Sequence, residues 1–585
     1  MPAIIYRLRA ALVFIGLLAL PATAFAQRPH RVHAKLDDRL AASVRAGDSD
    51  TKQVIIRTTS AGVSGLTDAL RGRGHRIVRA HSIINALTVR VPVSALDGLS
   101  QLPSVESISI DAPVTAHQSD STESTLRGTL GLPVYSPGGS HVGIAVIDSG
   151  IEDGPEFGDR IIAFYDFTQN GRSEWPRDEY GHGTHVAGLI AGDGDQSGKR
   201  YRGVAPKAKL IGLKVLDENG AGSTSEVIDA IEFATRNKDR YGIDIINLSL
   251  GHPVYEPADT DPLVQAVEAA VRAGIVVVAS AGNIGVSPAT GEPGYAGVLS
   301  PGNAPSAITV GSVRTFDTNS RTDDRVAAYS SRGPTWYDGQ VKPDIVAPGH
   351  GLVSVAARNS TLYANNPSLR VDSAYMRLSG TSMAAGVVSG AVALILEANR
   401  SAFPNTPLSP NAVKAILQYT SLPVRDEQGA LYDFLTQGAG SLNAAGAIDL
   451  AAHLDPSIPL GASWLTSDVS ASTVIDSQTL PWSQTVAWGG SVSEGAALWY
   501  GEIAWTTNIV WGSNIVWGSN IVWGNNIVWG SNIVWGNNIV WGNALIGASD
   551  GSATSWGTAA SDPSLTIWGE LDGSLLSNSV VLTSP

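Results

Sequence analysis

The chain reads as an α/β protein: a parallel sheet with helices on both faces, preceded by a small ferredoxin-like α+β unit and followed by a repeat-rich β region. Three observations predict this. From Val142 onward, apolar runs (142–147, 209–215, 243–248, 275–279, 307–310) alternate with helical patterns (184–191, 224–238, 261–273, 383–398, 409–419). Continuous apolar strands separated by helices mark a parallel sheet covered on both faces. Residues 52–114 carry shorter strands and two short helices, and after Asp455 the composition changes abruptly.

Composition narrows the function classes. A length of 585 residues calls for several domains, and 43% hydrophobic against 16% charged residues suits a well-packed enzyme. A formal net charge of −14 excludes nucleic acid as a partner, because phosphate binding needs a basic surface. The absence of cysteine excludes disulfides, Cys-ligated zinc and a thiol nucleophile.

The elements follow in order. Arg7 and Arg9, the apolar run Ala10 to Leu20 and Ala24-Phe25-Ala26 form a signal peptide over 1–26, so a secreted protein, extracellular or on the cell surface, is expected. Residues 27–50 are polar and read as a linker. A strand at 54–56, a helix at 63–70, two apolar runs within 83–91, a helix at 95–102 and a strand at 105–110 give the ferredoxin-like order. Thr115 to Thr129 is rich in Ser and Thr, which places a junction there and the unit's end at 117. The main domain then spans 118–455, and no later stretch is expected to reach membrane-spanning length.

Three stretches of the main domain carry chemistry. Val146-Ile147-Asp148-Ser149-Gly150 puts an acid at the carboxyl end of a strand, where such sheets bind ligands. Gly181-His182-Gly183-Thr184-His185 puts a histidine at the start of a Gly/Ala-rich helix. Leu378-Ser379-Gly380-Thr381-Ser382-Met383 puts Ser382 at the positive end of an apolar helix. Alone, that serine is an ordinary helix-start residue. Together the three supply a nucleophile, a base and an orienting acid, in the chain order known for subtilisin.

These stretches resemble the three signature motifs of the subtilisin family of serine peptidases, with further likeness across about 140–450. The resemblance implies that Ser382 attacks a peptide carbonyl, His182 moves the proton and Asp148 orients the imidazole. It makes Asn283, at the end of Val278-Ala279-Ser280-Ala281-Gly282-Asn283, an oxyanion donor beside Ala281 and Gly282. Ser249-Leu250-Gly251 and Gly220-Ala221-Gly222 resemble the two strands between which a substrate peptide lies. Residues 51–117 resemble an inhibitory propeptide. From Gln27 to His117 there are 12 Lys/Arg against 8 Asp/Glu, a basic lid for an acidic enzyme.

Two departures stand out. Gly386-Val387 replaces the family's usual Pro-His, and Leu299 stands where a glycine would line the pocket for the residue before the scissile bond, making that pocket shallow. No cofactor is required for the chemistry. His182 and His185 lack the glutamate of a zinc-peptidase motif, which sets zinc aside. Asp193-Gly194-Asp195-Gln196-Ser197-Gly198 matches half a calcium loop, but Val204 stands where its glutamate belongs. A solvated polar loop is the plainer reading, with structural calcium as the alternative.

Residues 456–585 contain no Lys or Arg and hold 13 of the 15 Trp. Asn-Ile-Val-Trp-Gly occurs six times at a six-residue step within 505–543, β-prone at Ile-Val-Trp and turn-prone between. A self-packing β-module, a Trp-faced surface for polysaccharide or cell surface, and self-association all fit. The alternative function is then a surface or matrix binding protein acting through this tail, its peptidase domain serving maturation.

Overall fold

The computed structural model describes residues 35–59, 62–116, 126–132, 137–287, 291–458, 463–489 and 491–494. The signal peptide, residues 117–125 of the expected junction stretch Thr115 to Thr129, and the 505–543 repeat lie outside these residues.

The small domain runs α1 (Asp38–Ala46), β1 (Thr51–Thr58), α2 (Val63–Gly72), β2 (Arg76–His81), β3 (Ala86–Pro92), α3 (Val93–Ser100) and β4 (Val105–Ile110). Its sheet has the order β2-β3-β1-β4, with every pair antiparallel. Leu40, Leu66, Leu70, Leu96 and Leu99 from the helices pack on Val54, Ile56 and Val89 of the sheet. The expected linker at 27–50 is corrected here, because α1 lies inside it. Asp37 caps α1 by accepting the Leu40 N–H at 2.7 Å, and Gly47 ends it in a left-handed turn. Only Leu40 and Ala41 are buried in α1, so its apolar period is too sparse to read from sequence. Past β4 the chain enters a short strand, β5 (Pro113–Ala116), that pairs with the main domain rather than its own.

The main sheet draws on β6 (Gly143–Asp148), β7 (Ile161–Asp166), β8 (Arg172–Ser173) and β9 (Lys209–Lys214). Beyond the short strand β10 (Ala221–Ser223), β11 (Ile243–Leu248) joins the same sheet. Past β12 (Leu250–Gly251), it gains β13 (Val276–Ser280), β14 (Ile308–Arg314), β15 (Arg325–Val326) and β16 (Ile345–Pro348). The order is β15-β14-β13-β11-β6-β9-β7-β8, with β16 also on β14. All pairings are parallel except the edge pairs β14–β15 and β7–β8. The central strands are buried along their length, which is why they read as unbroken apolar runs. β7 escapes that reading because its burial alternates.

Helices cover both faces. α4 (His182–Ala191) and α5 (Thr224–Arg236) precede α6 (Pro262–Arg272), α7 (Thr381–Ala402), α8 (Pro410–Thr420) and α9 (Ala444–Ala452). α4, α7, α8 and α9 share one core, with Val186, Val387, Val392 and Ile416 inside it. α5 and α6 share the other, through Val227, Ile231, Val264 and Val267. α7 is long and apolar enough to cross a membrane, contrary to expectation, yet 89% of that apolar window is buried inside the domain. It is a core helix.

The domain edge expected at 455 does not coincide with the end of packing. Two antiparallel pairs follow, β19 (Ser472–Ile475) with β20 (Gln478–Pro481) and β21 (Thr485–Trp488) with β22 (Ser491–Glu494), after the pair β17 (Leu352–Val355) with β18 (Tyr375–Leu378). Trp464, Trp482 and Trp488 join the core shared by α4, α7, α8 and α9. The Trp488 ring also lies 4.9 Å from Lys414 Nζ.

That lysine belongs to a buried charge cluster. Asp344 takes Lys342 Nζ at 2.7 Å and Lys414 Nζ at 2.8 Å, so one carboxylate serves two ammonium groups. Burial pushes Lys342 down to about 7. A folded-state value below the unfolded 10.5 means the native chain binds fewer protons between those limits. Stability from this group therefore rises with pH across that window. Lys342→Met, which keeps the stem and drops the charge, is expected to flatten the rise. Melting midpoints of inhibited enzyme between pH 7 and pH 10 check it; an unchanged slope in the variant contradicts it.

Candidate active site

β6 delivers Asp148, fully buried, at its carboxyl end. Asp148 Oδ1 accepts the Ser149 N–H and His182 Nδ1, each at 2.7 Å. His182 opens α4 and is buried, and its Nε2 has no hydrogen-bond partner among the described residues. With the Nδ1 proton given to a carboxylate, the Nε2 lone pair is the open base.

The start of α4 is held by Asp178, a residue the motifs did not single out. Its Oδ1 accepts the Gly181 N–H at 2.7 Å and Ser149 Oγ at 2.8 Å. Its Oδ2 accepts Thr184 N–H and Oγ1 at 2.8 and 2.7 Å. A buried carboxylate thus satisfies backbone donors at the positive end of the helix that carries His182. The signal in sequence is an acid four residues ahead of the histidine, which looks like any turn acid. His185 has a different task. Its Nε2 donates to the carbonyls of Leu352 and Met376 at 3.1 and 3.2 Å, and burial pushes it down to about 3. It is a neutral packing residue.

Ser382 is the second residue of α7 and is buried. Its Oγ donates to the Ser249 carbonyl at 3.0 Å, while Ser249 Oγ donates to the Ser382 carbonyl at the same distance. Asn247 Nδ2 donates to Ser249 Oγ at 2.9 Å, locking that pair. The glycine at 386 has a place here. It lies one turn beyond Ser382 and faces Val186, one turn beyond His182; a Cβ there would come within 3.2 Å of Val186 Cγ1. The departure from Pro-His sits where the two helices touch.

Asn283 follows β13. Its Oδ1 accepts Thr381 N–H and Oγ1, both at 3.0 Å, so the amide can only point its NH2 the other way. That Nδ2 is buried with no partner among the described residues. Thr381 is a second residue the motifs left unassigned, and its Oγ1 also accepts the Gly282 N–H at 3.1 Å. The Ser382 N–H lies in the first turn of α7, where helix donors lack intrahelical partners.

The strands expected to hold a peptide already flank one. β5 lies between β10 and β12, antiparallel to both. Thr115 stands opposite Ala221 and Gly251, Val114 opposite Gly222, and Ala116 opposite Leu250. Gly220, just before β10, has φ +74°, and a Cβ on it would meet the Tyr180 ring at 2.4 Å. Leu299 is buried with its N–H on the Ala281 carbonyl at 3.0 Å. Its side chain fills the space between Gly251 and Gly282, within 3.3 and 2.7 Å of where Cβ atoms there would lie.

Beyond β5, the small domain meets the main domain through charge. Arg79 reaches Asp229 at 2.6 Å and Glu226 at 3.4 Å on α5. Arg57 donates to the Asp259 carbonyl at 3.1 Å. Asp111 accepts Ser225 N–H and Oγ at 2.8 and 2.6 Å, at the start of α5.

Comparison with known proteins agrees in sequence and shape. The subtilase family model matches residues 139–446. The chain is 38% identical over 371 residues to serine protease AprX of Bacillus subtilis (strain 168), covering 62% of this chain and 79% of that protein. It is 35% identical over 360 residues to subtilisin E of the same organism, covering 60% and 82%. Among solved structures, fervidolysin from Fervidobacterium pennivorans, a keratinolytic enzyme related to subtilisin, shares the fold with TM-score 0.55 at 20% identity, covering 80% of this chain and 72% of that one.

Proposed function

The chain belongs to the subtilase family as a subtilisin-like serine endopeptidase, and we propose that it is made as an exported, self-processing zymogen acting through Asp148, His182 and Ser382. One observation carries the site reading: a buried imidazole tied to a carboxylate through Nδ1, with a free Nε2, in a site that also holds a buried unpartnered amide. Ser382 Oγ leaves the Ser249 carbonyl, gives its proton to His182 Nε2 and attacks the substrate carbonyl. The developing oxyanion takes hydrogen bonds from Asn283 Nδ2 and the Ser382 N–H. His182 then protonates the leaving amine, and water repeats the cycle to free the acyl group. Subtilases need no cofactor for these steps.

The peptide substrate lies as an added strand between β10 and β12, held by main-chain bonds. The backbone pairing of β5 in that cleft supports self-inhibition by the small domain, with Arg79 on α5 as a second anchor. The pairing of β5 runs up to Ala116 beside Leu250, the neighbour of Ser249, whose carbonyl holds the Ser382 hydroxyl. We propose self-cleavage at the bond after His117, the expected end of the small domain, and the nearness of β5 to the Ser382 segment supports this reading. N-terminal sequencing of the secreted product tests this. A start at Gln118 is expected, and a stable product that still begins at Gln27 would overturn it.

Leu299 leaves room for small side chains ahead of the scissile bond. Cutting in cis after His117 tolerates a poor fit, since the tethered segment has a high effective concentration. Leu299→Gly is expected to raise kcat/KM for peptides with an aromatic residue at that position by roughly 10- to 100-fold, the range for filling a pocket with a few carbons. Paired alanine and phenylalanine substrates check it; an unchanged ratio counts against the assignment.

A further inference from the structure

The loop after α4 is where the half-motif at 193–198 and the family would place a calcium ion, and its donors do not fit one. Calcium needs six to eight oxygens turned inward. Here the Gly194 carbonyl is taken by Ser197 N–H at 3.1 Å, Ser197 Oγ at 3.0 Å and Lys199 N–H at 2.7 Å. Asp195 is exposed and paired with Lys199, which holds its carboxyl below the usual range. Asp193 Oδ1 accepts the Asp195 N–H at 2.9 Å, and its Oδ2 lies 4.0 Å from Arg160. Arg160 also donates to the Ala191 carbonyl. What the loop turns inward is N–H groups, and they meet an anion. Glu156, buried, accepts the Gly194 N–H at 2.7 Å on Oε2 and the Gln196 N–H at 2.8 Å on Oε1. Its Oε1 also accepts the Tyr375 hydroxyl at 2.5 Å. Burial and that bond push the Tyr375 hydroxyl up, so it stays a donor.

We propose that the Glu156 carboxylate closes this loop in place of a metal ion and acts as a positioning residue for the triad. Its place in the chain gives it that reach. Glu156 lies eight residues after Asp148; the loop it holds begins just past α4, which His182 opens; and Tyr375 lies on β18, which leads into α7 and Ser382. One carboxylate therefore ties together the three segments that carry the nucleophile, base and acid. Three charge-assisted donors offset the cost of burying it. The positioning role assumes the triad assigned above, whereas closure of the loop without metal does not.

The first test is a melt of the inhibited, processed enzyme in excess EGTA and in millimolar calcium. Equal midpoints are expected; a midpoint lowered by chelator overturns closure by Glu156, whatever the activity shows. The second is Glu156→Gln, which turns an NH2 toward backbone N–H groups and leaves donors facing donors. Its midpoint should fall by several degrees. Well below that midpoint, kcat should drop roughly tenfold to a hundredfold with KM unchanged, as for a triad displaced by a fraction of an ångström. Glu156→Gln with wild-type kcat overturns the positioning role. If that chain does not fold, Tyr375→Phe removes the hydroxyl donor alone; a smaller fall in kcat at constant KM is expected, and an unchanged kcat overturns the proposal.

Discussion

A Ser382→Ala chain is expected to accumulate at full mature length, with the small domain still covalently attached, and to hydrolyse no casein. Ser382 supplies the hydroxyl at the start of α7, and its partner, the Ser249 carbonyl, cannot act as a nucleophile. Loss of the equivalent hydroxyl in subtilisin costs about 10⁶ in kcat, and that magnitude is carried over here rather than computed. What remains is the part of catalysis due to binding and the oxyanion donors, about 10³–10⁴ over water, too slow to process the chain. Gel mobility with N-terminal sequencing reads the first half, and casein release the second. A Ser382→Ala product that still matures by itself would remove Ser382 from the mechanism.

Asn283→Leu should give the next largest loss, roughly 10²–10³ in kcat with KM little changed; this figure too comes from subtilisin. The physical reason lies in Thr381. Its N–H and hydroxyl hold the Asn283 oxygen, so the NH2 is aimed in advance and no reorganisation is needed as charge develops. Leucine keeps the volume and removes the donor. Steady-state kinetics on a peptide ester and on the matching amide check this. A change confined to KM would reassign Asn283 to substrate binding.

Asp148, His182, Ser382 and Asn283, the proposed site residues, stand out in the sequence because each sits inside a short stretch that resembles a family motif. The parallel sheet was legible for a different reason: strands buried on both faces have no polar positions to break their runs. Residues that act through others were not legible. Asp178 looks like a turn acid until its four bonds at the start of α4 are seen, and Thr381 looks like part of the serine motif. Glu156 has no sequence mark at all, because its partners are backbone N–H groups and a tyrosine more than 200 positions away. α1 reads as linker because a helix that buries two residues leaves no period. The edge set at 455 followed composition, whereas packing continues to Trp488.

The three indoles seated after residue 455 separate the enzyme from whatever follows them. Trp464, Trp482 and Trp488 finish the core before the first Asn-Ile-Val-Trp-Gly unit begins at Asn508. Each six-residue gain or loss alters the maximum contour of the tail by about 20 Å and leaves the sequence of that core as it was. Unequal recombination between identical units can lengthen or shorten the tail without changing any residue of that core, so tail length can vary on a fixed catalytic sequence.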